Sequence, residues 1–176
     1  AKSSNKSSGV IKECNLPADQ SGTLSGRWPT KPVPIAIHSG SFSGGEQGEI
    51  QAAINTWNDF YGASKGFAIM SSLSESANQK PTSICTQGLI VNGQFTGSVV
   101  VYKQTNWPYN PDVIALTTVC PNPTNGNFFM AVMEINYQHF FVGGKRVPDF
   151  RSIFLHEFGH LLGLNHSCET ADKSGT

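Results

Sequence analysis

Apolar positions along the chain follow two periods, and the change from one to the other marks out its elements. Val33-Pro34-Ile35-Ala36-Ile37 is a short β-branched run that predicts a first strand, with Pro34 placing its start near a sheet edge. From Glu46 to Tyr61 the spacing changes: Ile50, Ala53, Ile54, Trp57, Phe60 and Tyr61 fall at i, i+3, i+4, i+7, i+10 and i+11, which predicts an amphipathic helix stopped by Gly62. Gly66 to Ser71 predicts a second strand centred on Phe67-Ala68-Ile69-Met70, and the polar stretch from Ser72 to Gly88 predicts a loop. Ser98 to Tyr102 reads as a strand buried on both faces. Lys103 to Asp112 reads as a loop whose Trp107 and Tyr109 either pack on their own domain, the favoured reading, or contact substrate. Val113 to Val119 and Phe128 to Ile135 predict antiparallel neighbours, joined through a turn rich in Pro and Asn-Gly.

The last apolar pattern frames a cluster of histidines. Ile153, Phe154, Leu161 and Leu162 give a buried stripe to a helix that Asp149 is suited to cap. His156 and His160 stand four apart on that helix and so share a face, close enough to grip one metal ion, with Glu157 beside them. Gly163 is placed to end the helix in the left-handed conformation, with Leu164 folding back on the last turn and the chain returning His166 towards the same ion. Three imidazoles leave zinc most of its charge and an open position for water, whose pKa falls to about 7. Glu157 is then the general base that takes the water's proton and later protonates the leaving amine.

The spacing HExxHxxGxxH, from His156 to His166, resembles that of the metzincin zinc peptidases, and Ser167 after the third histidine is similar to the matrixin, or matrix-metalloproteinase-like, branch. The resemblance spans roughly residues 27 to 167. It implies an α/β fold, with a mixed, mostly parallel five-stranded sheet packed on two long helices. It also implies that the strand from Val113 is an edge above the cleft, where extended substrate adds itself as a further strand. Metzincins carry a methionine turn after the third histidine, and none of the ten residues after His166 is methionine. The C-terminal part of such a domain is therefore expected to be missing, and the division expected is an extended, pro-segment-like leader over 1–31 and a catalytic domain over 32–176. Lys12-Glu13-Cys14-Asn15-Leu16-Pro17 is loosely similar to the matrixin pro-segment motif, in which a cysteine thiolate occupies the zinc's open position and keeps a zymogen latent. Glu13 stands where that family has arginine. Cys14 thus has three readings: a zinc-blocking switch, a disulfide cysteine or a free thiol.

Composition narrows the rest. A formal net charge of zero and 14% charged residues suggest neither nucleic acid nor an anionic membrane as partner, and no apolar run is long enough to span a bilayer. Four widely spaced cysteines, Cys14, Cys85, Cys120 and Cys168, form no CxxC pair and fit disulfides in a secreted, extracellular or periplasmic protein. Acidic residues are sparse between 72 and 145, so calcium finds no residue-by-residue support, and neither His38 nor His139 is assigned a metal. The expectation is a secreted, monomeric zinc endopeptidase acting on protein or peptide. The alternative is a zinc-binding module without turnover, against which an intact Glu157 argues.

Overall fold

The computed structural model describes residues 26–81, 84–85, 90–91, 94–95, 99–141 and 147–164, with the backbone alone at 90–91 and 94–95. It is an α/β structure with a mixed five-stranded sheet and two helices, α1 at Gly44–Lys65 and α2 at Phe150–Leu161. The strands are β1 (Ile35–His38), β2 (Ser74–Ser76), β3 (Ile90–Val91), β4 (Gln94–Phe95), β5 (Val99–Gln104), β6 (Ala115–Pro121) and β7 (Phe128–Asn136). The sheet runs in the order β2-β1-β5-β7-β6, and β3 pairs with β4 as a separate two-stranded ladder. Every pairing in the large sheet is parallel except that of β6 with β7, which is antiparallel and forms one edge.

Both helices cover the same face. Ile35, Ile37, Val99, Val101, Met133 and Ile135 meet Ile50 and Ile54 of α1 and Phe154, Phe158 and Leu161 of α2 in one core. Phe154 and Phe158 are fully buried there, and burying each such side chain contributes about 1.5–3 kcal/mol, so the inner face of α2 is firmly held. Alternation turns the next residues of each strand outward, and Ala36, Val100, Tyr102, Met130 and Val132 form a second cluster on the opposite face. There the Cys85–Cys120 disulfide ties the segment before β3 to β6. Glu134, fully buried on that face, accepts from Lys80 Nζ at 2.7 Å, Gln104 Nε2 at 3.0 Å and Tyr109 Oη at 2.9 Å, which is how a carboxylate is kept in the interior.

Four expectations change. α1 passes through Gly62 and ends instead at Gly66, whose φ of 77° is the left-handed cap. Its start is a capping box, in which Ser43 and Glu46 exchange side-chain and backbone hydrogen bonds. The strand predicted around Phe67–Met70 reduces to a single bridge between Val33 and Met70. The reason is Asn58 of α1: its Oδ1 accepts the N–H of both Ile69 and Met70 at 2.9 Å, and its Nδ2 donates to Met70 O at 2.9 Å, so a side chain takes the bonds a ladder would have used. Conversely β2 forms inside the predicted loop from Ser72 to Gly88, where Ser-Glu-Ser carries no apolar signal because the strand lies at the exposed edge. Trp28, within the stretch read as leader, is buried in the main core.

Candidate metal centre

α2 is fixed at both ends before any site chemistry begins. Asp149 accepts from Ser152 N at 2.9 Å as the N-cap, and the hydrogen bonds of the Ser152 hydroxyl and N–H hold its carboxyl below the usual carboxylate range. Near the other end, Trp28 Nε1 donates to Leu161 O at 2.9 Å, satisfying a carbonyl that the helix leaves without an internal donor. Along its length Trp57 Nε1 donates to Leu155 O at 3.1 Å, tying α2 to α1. The chain then leaves by a Schellman turn: Gly163 takes φ 94°, its N–H donates to His160 O at 2.9 Å, and Leu164 N–H donates to Gly159 O at 3.0 Å. Gly163 thus ends α2 with a positive φ, and Leu164 closes the turn.

The turn acts directly on His160, one of the expected ligands. Leu164 O lies 2.8 Å from His160 Nδ1, and since a carbonyl can only accept, Nδ1 carries the proton. In the neutral ring Nε2 is then the lone-pair nitrogen, and it faces His156 Nε2 at 3.0 Å with the rings nearly perpendicular, at 89°. Two nitrogens bound to one tetrahedral zinc at their usual bond lengths stand about 3.3 Å apart, so the observed pair fits a shared ion. His156 is exposed and His160 half-buried, which puts this pair at the surface. Between them in sequence, Glu157 is only 6% exposed, and its Oε2 accepts from Thr117 Oγ1 of β6 at 2.6 Å.

The structure therefore brings His156 and His160 together, while Glu157, next to His156 in sequence, turns to Thr117 of β6. His166, the expected third ligand, and Cys14 lie outside the described residues, and among the described residues no three His, Cys, Asp or Glu side chains form a metal-holding group. His38 stacks near Tyr102, with ring centroids 5.5 Å apart, and His139 N–H donates to Asn136 Oδ1 at 3.0 Å. Sequence reasoning missed Thr117, whose only signal was its position in an alternating strand, and missed the two tryptophans that tie α2 down. No protein-family model matches the chain, and no curated protein matches its sequence.

Proposed function

We propose that this protein is a zinc-dependent hydrolase, with His156, His160 and His166 as the metal's ligands and Glu157 as the general base. One observation carries the reading: two imidazole nitrogens 3.0 Å apart, one ring held in the metal-binding tautomer by Leu164 O. His166 joins the set on sequence spacing. Zinc held there would supply a Lewis acid, polarising a substrate carbonyl and making water acidic enough to lose a proton near neutral pH. Glu157 takes that proton and returns it to the leaving group; buried beside the site, it is suited to exchanging protons rather than to binding the ion.

Within that class the reading is a metzincin-like endopeptidase of the matrixin kind. Supporting a peptide substrate, β6 is an edge of the sheet and packs beside α2, so an extended backbone has a strand to pair with next to Glu157. The Cys85–Cys120 disulfide supports an oxidising, extracellular or periplasmic setting. Among the described residues no helix is long and apolar enough to cross a membrane.

The test combines metal analysis with hydrolysis of casein or a fluorogenic peptide. The full chain is expected to bind one zinc and to lose hydrolysis to a chelator. Glu157→Ala should keep the zinc and lose the hydrolysis, whereas His160→Ala should lose both. Stoichiometric zinc without chelator-sensitive hydrolysis would instead identify a binding module.

A further inference from the structure

We propose that Thr117 is a positioning residue for Glu157, fixing the plane of its carboxylate so that one oxygen is committed to the fold and the other to proton transfer. The inference rests on the hydrolase reading above and adds to it a residue from a different element. Its basis is the hydrogen bond that Thr117 Oγ1 donates to Glu157 Oε2 at 2.6 Å.

Each partner is held by its own surroundings. Glu157 is 6% exposed on a helix tied down by Trp28 and Trp57. Thr117 is β-branched, hence stiff about its first side-chain torsion, and sits in the middle of β6 opposite Met133 of β7, a fully buried core residue. The terminal torsion of a glutamate has a broad, shallow profile and would otherwise let the carboxylate swing. With Oε2 engaged, the group has one orientation, and Oε1 is the oxygen that accepts the proton. Valine has the shape of threonine without the donor, and serine has the donor without the methyl, so the two substitutions separate packing from hydrogen bonding.

The experiment compares Thr117→Val and Thr117→Ser with the parent and with Glu157→Gln. It measures zinc content, Tm, kcat and KM on a fluorogenic peptide, and the Glu157 carboxylate orientation in crystal structures of the zinc-loaded proteins. Thr117→Val is expected to keep its zinc, to leave KM within about twofold and to lower kcat about 10- to 100-fold, an effect of the size seen when a hydrogen-bonding partner behind a functional group at a metal site is removed. Its crystal structure should show the Glu157 carboxylate rotated or in two orientations. Thr117→Ser should recover most of the kcat and the parent orientation. If Thr117→Val keeps the parent kcat and carboxylate orientation while Glu157→Gln is inactive, the positioning role is wrong and the hydrolase reading stands. If Thr117→Ser is as impaired as Thr117→Val and both lose Tm alike, the residue is structural, which also overturns the role. A parent without hydrolysis, or a fully active Glu157→Gln, overturns the hydrolase reading and this inference with it.

Discussion

Two carboxylates on one helix do different work, and their surroundings say which is which. Asp149 stands exposed at the start of α2 and meets the Ser152 N–H, a structural cap; Glu157 is buried midway and meets a hydroxyl from another strand. Asp149→Ala should therefore lower the Tm, while Asp149→Asn should lose much less, because asparagine caps nearly as well; equal losses in a thermal melt would refute the capping role. The histidine pair was legible in sequence, since four-residue spacing on a helix fixes its relation without any knowledge of the fold. Thr117 was not. Its contact with Glu157 spans 40 residues, and alternation says only that it faces the helices, not what it touches there.

Among the elements, apolar period located α1 and the β6–β7 pair, but side-chain and glycine chemistry set their limits. Gly62 was read as a stop, yet it lies in the last turns of α1 with helical geometry, and a Cβ added there would meet nothing within 4 Å. Gly66 also has room, but its φ of 77° is one that L-residues adopt only under strain. Gly62→Ala should thus stabilise the protein by about 0.5–1 kcal/mol and Gly66→Ala should destabilise it by about 1 kcal/mol, both read from denaturant midpoints. A shift of the same sign in both would mean the helix ends elsewhere. The misread strand around Phe67–Met70 has the same lesson in reverse, because no local pattern reveals that Asn58, eleven and twelve residues earlier, will take its backbone bonds.

At the scale of the whole molecule, the antiparallel pair could be read from pattern, whereas the order β2-β1-β5-β7-β6 depends on pairings between distant segments that no local period encodes. The contacts that join those segments are also the ones that respond to pH. Glu46, at the start of α1, meets Tyr137 just after β7 and, at 3.0 and 3.1 Å, Lys103 of β5, whose ammonium also lies 4.1 Å from the Tyr137 ring centroid. Burial works against the Glu46 carboxylate, but hydrogen bonds from Tyr137, Ser43 and Lys103 outweigh it and leave its pKa below the ordinary 4.5. That contribution is present above pH 4.5 and is lost as pH falls through the lowered value. Tyr137 is shifted the other way, by burial and then by its bond to Glu46 and that group's charge, so its contribution is full below pH 10 and is lost as pH rises beyond. Glu46→Gln should flatten the acid side of the Tm–pH profile, and Tyr137→Phe the alkaline side; unchanged profiles would show that the cluster does not carry the dependence.

The bond from His160 Nδ1 to Leu164 O has a last consequence, which is entropic. A histidine brought to a cation from free rotation gives up its side-chain rotors in the act of binding, a cost of roughly 0.5–1.5 kcal/mol. Here the ring is stopped by a carbonyl that the glycine turn holds in place, so the rotors are already lost when the chain folds. Any ion that binds the pair meets a ring already aimed, an advantage of up to about tenfold in affinity that arises from a turn which never touches the ion.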